Sequence, residues 1–345
     1  MAYTTINKSN LHFNTVLYTG NGSNARGITG VGFQPDFVWN KGRDDSWQNI
    51  LTDIVRGATK NLYSDSTSAE VTDSTRLQSF NSDGFTIGTN NQINNNSDTY
   101  VAWNWKAGGG QGSSNTDGDI NTTYTSVNTT AGFSISTYTG NGGSNQSLGH
   151  GLGATPKIYI CKRRDNTGQW VFNTTAIDGS LDYLFLENSN AKANSSRSLP
   201  TSSVVYLENG GDANESGGTH VCYAFTEKQG FSKFGSYTGN GSEGAFIYTG
   251  FAPSFFMIKR TDGSGDKWRM WDSVRSPFNV VDDSLAANEN SVEYDDVSVS
   301  LDFLSNGVKM KMTGGGAGNG NNETYVFMAF GQSIVGTNNL PSNAK

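Results

Sequence analysis

The chain has 345 residues and a formal net charge of −7, from 24 Lys and Arg against 31 Asp and Glu. That acidic balance excludes the basic footprint of a nucleic-acid-binding protein, and no run of 18 apolar residues is present to cross a membrane as a helix. Aromatic residues make up 12% and charged residues only 16%, and Gly, Ser, Thr and Asn supply the rest of the polarity, a composition of strands and turns rather than of solvated helices.

Residues 1–14 read as an N-terminal arm, in which Leu11 and Phe13 alternate into a first strand. They lack a basic stretch followed by an apolar one, so no secretory leader is expected. The phrase Tyr-Thr-Gly-Asn-Gly then stands at 18–22, and it returns at 138–142 and 237–241. Gly-Asn-Gly accepts positive φ, which predicts a tight turn closing a strand. Copies spaced by roughly 100 to 120 residues predict a tandem array of small domains.

The copies align further. Each phrase is followed by a proline and an apolar run ending in lysine: Pro35 to Lys41, Pro156 to Lys162 and Pro253 to Lys259. Proline at a first strand position costs no ladder hydrogen bond, and a near-continuous apolar run predicts a strand covered on both faces. Tryptophan-bearing segments come next, at Trp47, Trp170 and Trp268–Trp271, and Asp-Ile-Val-Arg at 53–56 matches Asp-Ser-Val-Arg at 272–275. Each copy closes on a strand of one design, at 99–105, 219–225 and 324–330, whose alternate residues predict a core face. The resulting organisation is an arm (1–14), repeat 1 (15–109), a Gly/Ser/Thr-rich linker (110–130) with room for an extra strand at 124–127, repeat 2 (131–230), repeat 3 (231–335) and a loosely held tail (336–345). The fold class is all-β, with three tandem antiparallel β-sandwich domains of jelly-roll or lectin-like type. The rival arrangement is one larger lectin-type sandwich built from two repeats.

The polar segments 64–76, 188–203 and 282–297 diverge between copies, and divergent loops on a repeated scaffold are where binding differences reside. His220 fills the aromatic strand position held elsewhere by Tyr100 and Tyr325, while His150 lies in a turn and His12 in the arm. Cys161 and Cys222 read as two buried thiols on strands of repeat 2, with a cross-strand disulfide as the alternative. The carboxylate pairs Asp44-Asp45, Asp282-Asp283 and Asp295-Asp296 recur at no common position and read as solvated loop charge. Asn115, Asp117 and Asp119 have alternate-residue calcium spacing, but they lack the continuation of an EF-hand and lie in the linker. No residue is assigned a catalytic, cofactor-binding or metal-binding role, and no cofactor is expected.

The aligned phrases resemble a family of repeated domains in virion proteins of marine bacteriophages that infect cyanobacteria and pelagic bacteria. The residues that carry the resemblance are Tyr-Thr-Gly-Asn-Gly at 18–22, Val-Gly-Phe-Gln-Pro-Asp-Phe-Val-Trp at 31–39, Val-Arg-Gly-Ala-Thr at 55–59, Ser-Asp-Gly-Phe-Thr at 82–86 and Tyr-Val-Ala-Trp-Asn-Trp at 100–105. The opening residues 1–7 and Ala-Gly-Phe-Ser-Ile at 131–135 add to it; Cys161 in place of Asn40 and the short 246–251 turn depart from it. The resemblance implies a non-enzymatic structural protein of the virion, of tail-fibre or host-attachment type, assembled in the host cytoplasm. Its implied partners are other virion proteins, two further copies of itself in a homotrimer, and host surface glycan, with no nucleic acid and no membrane insertion. A capsid decoration or head-fibre protein is the first alternative and a polysaccharide-degrading sandwich enzyme the second.

Overall fold

A computed structural model of the protein describes residues 4–313 and 318–333; residues 1–3 of the expected arm and the expected tail 336–345 lie outside the described residues. Repeat 1 contains β1 (Phe13–Thr19), β2 (Arg26–Thr29), β3 (Phe37–Gly42), β4 (Ile50–Asp53), β5 (Lys60–Tyr63), β6 (Val71–Thr72), β7 (Leu77–Asn81), β8 (Gly84–Ile87) and β9 (Thr99–Trp105). A large sheet runs in the order β1-β9-β3-β4-β5-β6, and a small sheet, β2-β8-β7, packs on its outer face. All these pairs are antiparallel.

Repeats 2 and 3 repeat the plan. The strand Phe133–Thr139 pairs with Thr219–Phe225, and Ser232–Thr238 with Thr324–Gln332, as β1 pairs with β9. The expected linker is largely part of repeat 2: Thr122–Asn128 adds a seventh strand to its large sheet, and Ile120 is buried in its core. Pro35 and Pro156 stand just ahead of their strands, whereas Pro253 lies inside Ala252–Arg260 at a register irregularity, a place where a missing N–H is tolerated.

Strand periodicity explains the two-sided apolar runs. Val16, Val38, Ile50 and Ala102 face the small sheet, while Phe37, Trp39, Leu51, Trp103 and Trp105 face the opposite way. The inner faces do not meet solvent. Those of all three repeats pack on one another in a single central core that joins Trp39 and Trp103 with Ile160, Trp170 and Tyr223 and with Met257, Met270 and Met328. A void of about 20 Å³ at its centre is lined only by apolar and aromatic residues, so it is dry. The repeats therefore close into a pseudo-threefold ring around one shared core.

Equivalent hydrogen bonds stitch the three seams. Trp170 donates its indole N–H to Tyr63 O at 2.7 Å, Trp268 to Phe185 O at 2.9 Å, and Asn49 Nδ2 closes the circle onto Ala286 O at 3.0 Å. Backbone N–H groups of Glu70, Lys192 and Glu293 reach Arg164 O, Thr261 O and Arg43 O at 2.8, 2.8 and 2.7 Å. The divergent segments 64–76, 188–203 and 282–297 thus contribute to the contacts between repeats.

Two seams also carry a buried charge network. Asp53 and Arg56 form a buried ion pair, and Asp53 accepts from Tyr223 of repeat 2 at 2.7 Å. Asp272 and Arg275 repeat the arrangement, and Asp272 accepts the Trp103 indole of repeat 1 at 3.0 Å. Glu70 links Arg56 to Arg164, and Glu293 links Arg275 to Arg43. At the seam between repeats 2 and 3 the same positions read Thr174, Ile177, Met328, Lys192 and Thr261. Donor and acceptor are lost together there, which avoids leaving a charge buried and unpaired.

The Tyr-Thr-Gly-Asn-Gly phrase ends the first strand and carries the chain from the large sheet to the small one, so it is no hairpin. Its last glycine has positive φ (Gly22 66°, Gly142 72°, Gly241 67°). Its first glycine serves close approach: a Cβ on Gly20 would lie 1.9 Å from Asn95 O. A buried asparagine clasps each turn. Asn94, Asn214 and Asn319 accept from the backbone N–H of Asn21, Asn141 and Asn240 at 2.9, 2.9 and 3.0 Å and donate to the carbonyls of Ser23, Gly143 and Ser242. These asparagines escaped the reading of the sequence, although each stands six positions before the Tyr or His of the closing strand.

Candidate functional site

Several residues singled out in the sequence are structural. His220 is fully buried and stacks on Tyr138 at 5.1 Å and 15°, as Tyr18 stacks on Tyr100 and Tyr237 on Tyr325; burial pulls its pKa down to about 4. His150 is buried in its turn, with Leu152 N donating to Nδ1 and Nε2 lying 3.2 Å from Thr201 O. His12 packs edge-on against Phe231. Cys161 and Cys222 are buried free thiols directly opposite each other on adjacent strands.

The acidic candidates are mostly engaged. Asp44 accepts from Thr99 N, Asp296 from Ser298 N, and Asp119 from both N and Oγ of Ser147; Asn115 and Asp117 bond each other. Asp282, Asp283 and Asp295 bring carboxylate oxygens within 4.8 Å of one another. Reading the pairs only along the chain missed this, because Asp283 and Asp295 meet as cross-strand partners. Asp283 already accepts from Ser276 at 3.0 Å and sits 4.0 Å from Arg43.

Two depressions open at the seam where repeat 3 meets repeat 1. The first is a polar cleft of about 560 Å³, formed by Gln48, Asp65 and Ser66 of repeat 1 and by Lys267, Asn288, Glu289, Asn290, Ser291 and Tyr294 of repeat 3. Lys267 is bound to Glu289 at 2.7 Å and to the Tyr294 hydroxyl at 2.6 Å, and that hydroxyl lies 3.2 Å from Glu289 Oε2. The ammonium also lies over the Tyr294 ring, 4.4 Å from its centre. On the other wall, burial raises the Asp65 carboxyl to about 6, while Lys41 and the Asn49 backbone N–H draw it back down. Asp65 Oδ1 is shielded from solvent and has no hydrogen-bond partner, so it is not among the acceptors open to the cleft. The cleft therefore presents donors and acceptors of both kinds on a wall held in place by the ring seam.

The second depression is a groove of about 540 Å³ between repeat 3 and residues 8–15, from the arm and the first residue of repeat 1, and its lining includes Phe278, 82% exposed. The arm is anchored beside it: Ser9 N donates to Gln332 Oε1 at 2.7 Å. Phe246 and Tyr248 are the other strongly exposed aromatic side chains of repeat 3. The tryptophans are not exposed; Trp47 is half-buried with its indole N–H on Asp98, and the rest are buried.

The sequence model of a family described as a domain of unknown function, DUF7483, matches residues 8–333. The chain belongs to the DUF7483 family. No curated protein and no solved structure matches it. The match spans all three repeats as one unit and begins inside the arm, in keeping with a DUF7483 ring whose repeats share one core.

Most of the cleft residues of this DUF7483 chain fall in two of the divergent segments noticed in the sequence, 64–76 and 282–297, but Gln48 and Lys267 were missed. Those two occupy equivalent positions, one residue before Asn49 and Trp268 of the seam ring. Only alignment of the repeats could have drawn attention to them.

Proposed function

We propose that the protein is a structural component of a bacteriophage virion, belonging to the tail fibre or host-attachment apparatus and contacting host surface glycan. The observation that supports this most is the closed ring: three sandwiches share a core and are joined by equivalent hydrogen bonds at every seam. Such a body is rigid and displays its loops in fixed relation, which suits repeated weak contacts with a surface. The resemblance of the repeat phrases to marine phage virion proteins supplies the setting. A ring of three repeats has already used its inner faces, so a homotrimer of this chain would assemble through other surfaces, and its partners on the particle would be other virion proteins.

Cryo-electron microscopy of purified particles tests the proposal. A few copies in threefold arrangement around the tail are expected. Many copies arrayed on the head would replace the attachment reading with capsid decoration. Absence from the particle would remove both and bring forward the polysaccharide-degrading alternative, for which Asp65 and Glu289 in one cleft are the carboxylates to assay.

A further inference from the structure

We infer that the polar cleft between repeats 1 and 3 is a binding site for a short, uncharged saccharide held by hydrogen bonds that it donates to Asp65 and Glu289 and exchanges with the amides of Gln48 and Asn290. The biological setting rests on the attachment reading above; the site itself rests on its own geometry. Its volume of about 560 Å³ lies in the range of small-ligand sites, about 300–1,000 Å³. Its lining is amide, hydroxyl, carboxylate and ammonium, the mixture that a polyol, with each hydroxyl both donor and acceptor, can satisfy.

Charge selects within that class. Lys267 is matched by Glu289 at 2.7 Å, while the half-buried Asp65 on the opposite wall forms no ion pair within 4 Å among the described residues. A sugar hydroxyl can donate to the Asp65 carboxylate where it lines the cleft, whereas the carboxylate of an acidic sugar would meet Asp65 and Glu289 as like charges. The Tyr294 ring is covered by Lys267 at 4.4 Å and approached by Arg269 at 5.7 Å. Its face is therefore not a stacking platform, and the site binds through polar contacts alone. Binding of that kind is individually weak and gains from multiple copies on one particle.

Position argues for the site as well. The ring seam fixes both walls: Ser64 Oγ donates to Ala287 O at 2.6 Å, and Asn49 Nδ2 donates to Ala286 O and to Glu289 O at 3.0 and 2.9 Å. Donors and acceptors held by buried contacts lose little freedom on binding, which favours a pre-formed site.

The test uses the full chain and a panel of neutral oligosaccharides built from glucose, galactose and mannose, with uronic-acid oligosaccharides as the charged comparison, followed by saturation-transfer NMR and titration. Saturable binding of at least one neutral member is expected, weakened tenfold or more in Asp65→Asn and in Glu289→Gln and unchanged in Asp117→Asn, which lies away from the cleft. Unchanged melting temperatures of the two cleft variants would confirm that the loss is local; should either variant unfold, Gln48→Ala provides the same reading from a seam-independent side chain. Binding to no neutral member, binding only to the acidic sugars, or binding indifferent to the cleft substitutions would overturn the inference. Tail location without saccharide binding would remove this site and keep the attachment reading, while binding by a protein absent from particles would do the reverse.

Discussion

Trp103 donates its indole N–H to the buried carboxylate of Asp272 at 3.0 Å, across 169 positions of sequence, and so ties the first repeat to the last. The same carboxylate holds the Arg275 guanidinium, which lies 5.4 Å from the Trp103 ring centre. Asp53 and Tyr223 make the corresponding contact at the next seam, and Thr174 and Met328 make none at the third.

Replacing Asp272 by Ala leaves the buried Arg275 with Glu293, at 2.7 Å, as its remaining ion-pair partner and takes away the acceptor of the Trp103 indole. We expect a loss of about 3–5 kcal/mol, the usual cost of breaking one side of a buried pair, and a similar loss for Asp53→Ala. Urea titrations followed by tryptophan fluorescence measure it. A loss below about 1 kcal/mol would mean that the networks do not hold the ring closed.

Asn94→Ala removes a side chain that accepts from Asn21 N and donates to Ser23 O and Gly88 O. Leaving these backbone groups without partners should cost about 2–4 kcal/mol. Hydrogen exchange should accelerate first at Asn21 and its neighbours, because the turn loses its clasp while the strands remain paired.

His220→Tyr restores the residue that the other repeats carry. In them the hydroxyl is used: Tyr100 accepts from Asn95 N at 2.8 Å and Tyr325 from Gly320 N at 3.0 Å. The folded protein holds His220 neutral with a pKa near 4, below the ordinary 6.5. The unfolded chain therefore binds the extra proton between those values, and the histidine's contribution to stability is lost as pH falls from 6.5 to 4. The tyrosine variant should lack that loss. Its advantage over the parent in denaturant midpoint should be larger at pH 5 than at pH 7.5.

Lys41, Lys162 and Lys259 are fully buried, and burial pulls each down to about 8 from an ordinary 10.5. Lys41 and Lys162 reach across their seams to Asn290 O and Thr67 O at 3.2 and 3.1 Å. Between pH 8 and 10 the unfolded chain holds more protons than the folded one, so the lysine contribution to stability should rise with pH across that window. Above pH 10 overall stability should turn down, because burial raises Tyr18 and Tyr159 above the ordinary tyrosine value and the unfolded chain loses those protons first. Thermal melting from pH 7 to 11 should show this maximum, and Lys162→Met should flatten its rising limb.

Cys161 and Cys222 are both buried, and the hydrogen bond with the neighbouring Cys161, together with burial, pushes the Cys222 thiol upward. A thiol reagent should therefore label neither residue in the folded protein and both after unfolding in denaturant. Rapid labelling under native conditions would place at least one sulfur at the surface.

Much of the fold was legible in the sequence. Period-2 alternation and the thrice-repeated phrase identify the strands and the repeats, because a strand's two faces are written directly in its residues. His220 could be placed by its column alone. The purpose of the inner faces could not, since Phe37, Trp39 and Trp103 have the same apolar character whether they meet a sheet of their own repeat or two neighbours. Tertiary structure decided that they meet neighbours. It also decided that Glu293 belongs with Arg43, 250 positions away, that Asp65 and Glu289 share a cleft, and that Thr174, Ile177 and Met328 mark one seam without the buried Asp–Arg pair. Those relations depend on ring closure, which brings distant backbone segments into register, and no local pattern of residues encodes which segments will meet.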